Sequence, residues 1–224
     1  MNTTYKAVIF DLDGTLLNTI DDLADSCNYV LAAKGYPTFS TEQFKKFVGN
    51  GAAVLMKRIH PQGTSQAELD EALAQFTVYY NAHRDIKTKP YEGIPDLLHK
   101  LREKGIRLCV LSNKPHEISA LLIRHYFGDG TFDIVLGKSA GFPVKPDPSS
   151  CDYLLGQLEL DQSDVLYVGD SNVDMQTARN AGLTSCGVCW GFRSEAELKA
   201  EGAHYLVHSP GDILEIVAGD GNEK

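Results

Sequence analysis

The sequence has no apolar run approaching the roughly 20 residues that a membrane-spanning helix requires. Positive charge is also scarce, since 21 basic residues stand against 30 acidic ones and the net charge is −9. This balance disfavours broad contacts with phosphate backbones, so we expect neither nucleic-acid nor membrane partners. The polar first residues show no targeting segment, and we expect a cytoplasmic protein.

Paired cysteines are lacking as well. The five cysteines are odd in number and mostly scattered, which is typical of reduced thiols, and 224 residues can bury a core without disulfide bonds. Only Cys186 and Cys189 form a C-x-x-C pair, and they lie in a strand-like stretch where residues three apart face opposite sides. We therefore predict ordinary packing for both. Seven histidines show no metal-ligand spacing, and we assign them no role.

Short apolar runs alternate with helical patterns along most of the chain. They occupy residues 5–10, 106–111, 132–136, 165–168, 183–188 and 205–207. Runs that are apolar at nearly every position are typical of parallel strands covered on both faces. The pattern therefore predicts an α/β fold with a doubly wound, Rossmann-like parallel sheet.

One interval breaks this alternation. Residues 17–87 show amphipathic helical patterns and no convincing strand. We predict a helical domain at 17–87, inserted after the first strand, while 1–16 and 88–224 form the α/β core domain. We expect the loop at 190–193 to pack on the core and the tail at 219–224 to be disordered.

Polar side chains follow four of the predicted strands. They are Asp11 and Asp13 after the first, Ser112 and Asn113 after the second, Lys145 in the loop after the third, and Asp170 and Asp174 after the fourth. Because ligands bind beyond the carboxyl ends of the strands in open α/β sheets, we expect these residues to converge. Clustered carboxylates raise one another's pKa unless a cation joins them, and Mg²⁺ prefers oxygen ligands. The sequence thus predicts a site for Mg²⁺ and a phosphate group.

The two acids in "VIFDLDGTLL" suit phosphoryl transfer. Asp11 can attack phosphorus to form an aspartyl-phosphate, which is a known mode of carboxylate catalysis. Asp13 can protonate the leaving alcohol and later activate water. Lys145 and Ser112 can hold the remaining phosphate oxygens.

Four segments, "FDLDGTLLNT", "LSNK", "KPDP" and "GDSNVD", resemble the ordered motifs of the haloacid dehalogenase superfamily, phosphatases that use an aspartate nucleophile. The resemblance implies that Asp11 is the nucleophile and Asp13 the general acid and base. It also implies that Ser112 binds phosphate and that Lys145 is the stabilising cation.

The same resemblance implies a set of metal ligands. Mg²⁺ is expected to be bound by Asp11, by the backbone carbonyl of Asp13 and by Asp170. Asp174 is expected to act on the metal or on Lys145 through hydrogen bonds rather than as a direct ligand.

The resemblance also implies that 17–87 is a helical cap that closes over the phosphate site. Gly49-Asn50-Gly51 looks like the cap loop of phosphoglycolate phosphatases, where it faces the active site. Thr15 and Asn113 are further expected substrate contacts. The implied function is hydrolysis of a small anionic phosphomonoester, with 2-phosphoglycolate as the best single choice.

Several alternatives stay open from the sequence. The aspartyl-phosphate can instead pass its phosphoryl group to a sugar hydroxyl, as in the related β-phosphoglucomutases. A pyrophosphatase or a phosphonatase of the same superfamily is a further alternative, and so is a regulatory module that only binds a phosphorylated ligand. The sequence does not determine the oligomeric state.

Overall fold

The computed structural model describes residues 5–139 and 141–219, so residues 220–224 of the predicted tail lie outside the described residues. The chain divides into two compact units. The core unit comprises the described residues of Met1–Leu17 and Pro90–Lys224, and the helical unit comprises Asn18–Lys89. Among the described residues, no helix is both long and apolar enough to cross a membrane.

The described strands, in chain order, are β1 (Ala7–Phe10), β2 (Leu17–Asn18), β3 (Lys89–Pro90), β4 (Arg107–Pro115), β5 (Ile134–Lys138), β6 (Val165–Gly169), β7 (Thr184–Val188) and β8 (Tyr205–Val207). Six of them form one parallel sheet in the order β5-β4-β1-β6-β7-β8. The two short strands β2 and β3 form a separate two-stranded sheet. The predicted parallel α/β fold is confirmed.

The described helices include four in the helical unit, namely α1 (Ile20–Ala33), α2 (Thr41–Phe47), α3 (Ala52–Ile59) and α4 (Gln66–His83). Those of the core unit are α5 (Ile94–Glu103), α6 (His116–Phe127), α7 (Ser149–Leu158), α8 (Asn172–Asn180), α9 (Glu195–Ala200) and α10 (Pro210–Ala218).

Both faces of the sheet are buried, which explains the continuous apolar runs. In β1, Val8 and Phe10 belong to one hydrophobic cluster, and Ala7 and Ile9 belong to another. Residues of α5, α6 and α10 complete the first cluster, and residues of α7 and α8 complete the second. Because successive side chains of a strand point to opposite faces, each position of β1 needs an apolar side chain.

The strand order creates a switch point beside β1. From β1 the chain adds β4 and β5 on one side and then returns to place β6 on the other side. Connections leave the carboxyl ends of β1 and β6 in opposite directions, and this opens a crevice where such sheets bind ligands. Asp11 and Asp170 directly follow these two strands.

The sequence placed Ser112 and Asn113 just after the second strand, and this placement is wrong. Both residues lie inside β4, which continues to Pro115. The pairing of β4 with β5 shifts register between Leu111 and Pro115. Because pairing resumes after this irregularity, the strand continues through polar residues. A run of apolar residues in the sequence does not show this part of the strand.

The helical unit has its own core and its own buried carboxylate. Apolar side chains of α1, α2, α3 and α4 are buried, including Val30, Phe44 and Met56. Asp22 of α1 is also buried, and its carboxylate accepts the backbone N–H groups of Lys87 at 3.0 Å and Thr88 at 2.8 Å. Asp22 thereby anchors the segment that ends this unit.

We predict that Asp22→Ala lowers the free energy of unfolding by about 1–3 kcal/mol, because it removes the acceptor of one buried and one partly buried backbone N–H. Asp25→Ala in the same helix is the matched control. Asp25 is exposed and its carboxylate accepts a hydrogen bond from the Lys87 Nζ at 2.6 Å, so the loss of this surface ion pair costs at most about 1 kcal/mol. Urea unfolding measures both variants, and equal effects would contradict the anchoring role.

Candidate active site

The carboxyl ends of β1 and β6 bring three aspartates together. Asp11 follows β1, Asp170 follows β6, and Asp174 lies in the first turn of α8. One carboxylate oxygen from each lies within 4.8 Å of the others, and all three side chains are buried. Main-chain pairing holds Asp11 beside the end of β6, since the Asp11 N–H donates to the Val168 carbonyl at 2.9 Å.

The Lys145 ammonium lies between two of these carboxylates. Its Nζ donates to Asp11 Oδ1 at 2.8 Å, to Asp174 Oδ1 at 2.7 Å and to the Leu111 carbonyl at 3.1 Å. Asn113 fixes the backbone of this lysine. The Asn113 side chain accepts the Lys145 N–H at 2.8 Å and donates to the Lys145 carbonyl at 3.1 Å. The predicted substrate contact Asn113 therefore positions Lys145.

Both carboxylate oxygens of Asp174 have protein donors. Oδ1 accepts from Lys145 and from the Tyr167 hydroxyl at 3.2 Å. Oδ2 accepts the Ser171 N–H at 3.0 Å and the Ser171 hydroxyl at 2.6 Å, which forms the capping box that begins α8. These contacts suit Asp174 to orienting Lys145.

Asp170 is held by backbone and hydroxyl groups. Its Oδ2 accepts the Phe192 N–H at 2.7 Å, and its Oδ1 accepts the Thr15 hydroxyl at 3.3 Å. A Cβ atom at Gly14 or at Gly191 would clash with the Asp170 side chain. Gly14 also has a φ of 90°, which favours glycine. The predicted substrate contact Thr15 is fully buried in this arrangement.

Burial gives the cluster unusual electrostatics. Burial and the Asp174 charge raise the pKa of Asp11 to about 7, although Lys145 opposes this rise. Burial and the charges of Asp174 and Asp11 raise the pKa of Asp170 well above its ordinary value. Burial lowers the pKa of Lys145, but the Asp11 and Asp174 charges outweigh burial and hold that pKa well above its ordinary value.

These residues fit a divalent metal ion. Buried carboxylate oxygens are ligands that hard divalent cations prefer. The single ammonium of Lys145 does not offset the three carboxylates, and a cation between Asp11 and Asp170 would favour their ionised forms. The charge and the donor atoms of the cluster therefore agree with a metal site.

Asp13 has a different cationic partner. Lys114 Nζ donates to both Asp13 carboxylate oxygens, at 2.7 and 2.9 Å, and the Lys114 side chain is 6% exposed. The Lys114 N–H donates to Ser112 Oγ at 3.2 Å. Sequence reasoning missed this lysine because the two partners are 101 positions apart. Its only sequence signal is its place in "LSNK", beside two predicted site residues.

The loop that follows β7 also borders the site. The sequence favoured packing on the core for residues 190–193 over a position beside the site. Trp190 does pack against the first hydrophobic cluster, but Gly191 and the Phe192 N–H also contact Asp170 directly. The Trp190 indole N–H donates to the Thr15 carbonyl at 3.1 Å. A backbone donor leaves no mark on the residue type, so a sequence pattern cannot reveal it.

The Gly49-Asn50-Gly51 segment joins α2 to α3 within the helical unit. Gly49 and Gly51 have φ angles of 125° and 83°, in the region that favours glycine. Arg58 fixes the loop, because its guanidinium donates to Asn50 Oδ1 at 2.8 Å and to the Phe47 carbonyl at 2.6 Å. The role of the loop as a substrate contact stays a prediction.

Residues 8–188 match the family model described as haloacid dehalogenase-like hydrolase. The chain belongs to this family. A phosphoglycolate phosphatase from Vibrio parahaemolyticus is 32% identical over 95% of this chain and 96% of its own length. A phosphoglycolate phosphatase from Mannheimia succiniciproducens is also 32% identical, over 97% of this chain and 100% of its own.

Solved structures agree with this assignment. The crystal structure of a proposed phosphoglycolate phosphatase from Lactobacillus delbrueckii has a TM-score of 0.92 and 36% sequence identity. That match covers 96% of this chain and 99% of the other. A predicted phosphoglycolate phosphatase from Haemophilus somnus has a TM-score of 0.90 with 29% identity, covering 96% of this chain and 98% of its own. The family match and these relatives together identify the chain as a phosphatase.

We predict that Gly191→Ala destabilises the core unit by about 1–3 kcal/mol, because its methyl group must displace the Asp170 side chain. Gly156→Ala in α7 is the matched control, since beyond its chain neighbours and the backbone of its own helix no atom lies within 4 Å of a Cβ placed there. Gly156→Ala should raise the free energy of unfolding by about 0.4–1 kcal/mol. Thermal unfolding measures both variants, and an unchanged melting temperature for Gly191→Ala would contradict the close packing.

Proposed function

We propose that this phosphatase is a Mg²⁺-dependent phosphomonoester hydrolase that forms an aspartyl-phosphate on Asp11. The observation that carries the proposal is the position of the Asp11 carboxylate. It lies at the switch point of the sheet, 2.8 Å from the Lys145 ammonium and within 4.8 Å of an Asp170 oxygen. The negative charge of a nucleophilic carboxylate must be offset by nearby positive charge before a phosphate anion can approach it.

In the first step, an Asp11 carboxylate oxygen attacks phosphorus as the bond from phosphorus to the substrate alkoxide breaks. Asp13 gives its proton to the departing alkoxide, and the alcohol leaves. Lys145 and the Ser112 hydroxyl hold phosphate oxygens during this transfer. The product on the enzyme is an acyl-phosphate at Asp11.

In the second step, the Asp13 carboxylate takes a proton from water as the water oxygen attacks phosphorus. The bond from phosphorus to Asp11 breaks, and inorganic phosphate and the Asp11 carboxylate are restored. Throughout both steps Asp174 keeps Lys145 in place through the 2.7 Å contact.

Asp11, Asp170 and the backbone carbonyl of Asp13 are the proposed Mg²⁺ ligands. When bound there, Mg²⁺ neutralises charge that builds up on the transferring phosphoryl group. The Phe192 N–H and the Thr15 hydroxyl orient Asp170 for this role.

We propose 2-phosphoglycolate as the substrate and the helical unit as the cap over the site. Relatives with this named activity align with nearly the whole chain, including the helical unit. The Gly49-Asn50-Gly51 loop carries backbone N–H groups suited to a small carboxylate, and Arg58 holds its conformation. These features support a small anionic substrate.

We predict that Asp11→Asn lowers phosphate release from 2-phosphoglycolate by at least about 10⁴-fold, the order of loss seen when a hydrolase loses a central catalytic group. Wild type in Mg²⁺ should hydrolyse this ester far faster than sugar phosphates, nucleotides or pyrophosphate. Removal of Mg²⁺ by chelation should abolish the release. Borohydride reduction of the wild-type acyl-phosphate followed by peptide mass analysis should place the modification on Asp11.

Each contrary result has a definite meaning. Near-normal turnover by Asp11→Asn would disprove the nucleophile. Isomerised sugar phosphate without net phosphate release would identify a mutase instead, and faster cleavage of pyrophosphate or phosphonoacetaldehyde would identify another hydrolase of the family. Binding of phosphorylated ligands with no turnover of any ester would identify a regulatory module.

We predict that Lys114→Met lowers kcat by about 10–100-fold with a smaller change in KM, because Asp13 loses its positioning partner and general acid–base catalysis is worth about 10²–10⁴-fold. Lys114→Arg should restore part of the loss. Lys6→Met is the control, since Lys6 forms a 2.9 Å ion pair with Asp164 through a side chain that is 63% exposed. A change in KM alone would contradict the positioning role.

A further inference from the structure

Three potential metal ligands from separate segments converge outside the active site. Cys189 directly follows β7, His208 directly follows β8, and Glu195 is the first residue of α9. The Cys189 Sγ, one carboxylate oxygen of Glu195 and one imidazole nitrogen of His208 all lie within 4.8 Å of one another. A thiol, a carboxylate and an imidazole are the side chains that bind Zn²⁺ in proteins.

The fold fixes the backbone of two of these residues. Val188 and Val207 are paired across β7 and β8, so Cys189 and His208 leave neighbouring strands side by side. The Cys189 N–H donates to the Val207 carbonyl at 2.9 Å, and the His208 N–H donates to the Asp212 carboxylate at 3.0 Å. The approach of the side chains is therefore a consequence of strand pairing.

The separation of the imidazole and the carboxylate suits a tetrahedral metal ion. Bond lengths to Zn²⁺ place neighbouring tetrahedral ligand atoms about 3.3–3.6 Å apart. His208 Nε2 and Glu195 Oε2 are 3.6 Å apart, and both side chains are more than half exposed, so they can adjust without disturbing the core. The Cys189 thiol is half-buried, and burial together with the Glu195 charge raises its pKa, so metal binding must release its proton.

We propose that Cys189, Glu195 and His208 form a second metal site, specific for borderline-soft divalent ions such as Zn²⁺, with water completing the coordination. The thiolate discriminates against Mg²⁺, which prefers oxygen ligands. This site is distinct from the Asp11, Asp170 and Asp174 cluster, and the proposal does not rest on the proposed phosphatase mechanism.

Cobalt spectroscopy of the full chain tests the site. The reduced protein is first saturated with Mg²⁺ to occupy the acidic cluster, and Co²⁺ is then titrated. We expect one equivalent of Co²⁺ to produce a thiolate-to-cobalt charge-transfer band in the near ultraviolet, which Zn²⁺ abolishes by displacement. Cys189→Ser should remove the band. His208→Gln and Glu195→Gln should each weaken Co²⁺ binding by about 10–100-fold.

His99→Gln is the matched control. His99 and Glu103 form an exposed ion pair at 3.3 Å, so this variant removes a similar histidine from a different surface and should leave the titration unchanged. Melting temperatures check that all variants fold.

Thiol labelling gives a second measurement, because Cys27, Cys109, Cys151 and Cys186 are buried and Cys189 alone among the cysteines is partly exposed. Zn²⁺ should slow labelling of wild type and not of His208→Gln.

Two results would overturn the proposal. One is the absence of a charge-transfer band in wild type at millimolar Co²⁺. The other is a band that disappears in Cys189→Ser but keeps its wild-type affinity in both His208→Gln and Glu195→Gln, which would show metal binding by the thiol alone.

Discussion

The active site depends on one buried ammonium group placed between two carboxylates. Lys145 Nζ contacts Asp11, Asp174 and the Leu111 carbonyl, which lie just after β1, in α8 and in β4. Taking one partner of such a buried pair away leaves an uncompensated charge, which costs about 3–5 kcal/mol. The ammonium is thus both an electrostatic requirement of the acidic cluster and a connection among three elements of the core unit.

Main-chain geometry determines where the aspartates of the site lie. Parallel pairing of β1 with β6 sets Asp11 and Asp170 at one edge of the sheet, and the reversal of strand order opens that edge to ligands. Asp170 then needs close backbone approach from both sides, which Gly14 and Gly191 permit because neither has a Cβ atom. Backbone groups thus hold the buried Asp170 side chain in place, while its ionised form still needs the charge of a bound cation.

Different parts of this arrangement could be predicted from the sequence to different degrees. The apolar runs predicted the parallel sheet, because β1 is buried on both faces. The strand ends predicted that Asp11, Asp170 and Asp174 meet, whereas Asp13, which was expected with them, pairs with Lys114. Ser112 and Asn113 were misplaced because β4 continues through polar residues with an irregular register. The Lys114–Asp13 pair and the Phe192 N–H to Asp170 bond depend on tertiary contacts, one of them between residues 101 positions apart, and no local pattern encodes them.

The two lysine–aspartate pairs also suit the different roles that we propose for the two carboxylates. In the proposed mechanism, Lys145 keeps its second carboxylate partner, Asp174, when Asp11 loses its negative charge on becoming an acyl-phosphate. Lys114 instead contacts both oxygens of Asp13, which is the arrangement of an ionised carboxylate. A carboxylate in that form is the base that the proposed hydrolysis step requires. In the proposed first step Asp13 is the proton donor, and a neutral carboxyl would bind the Lys114 ammonium more weakly than the carboxylate does.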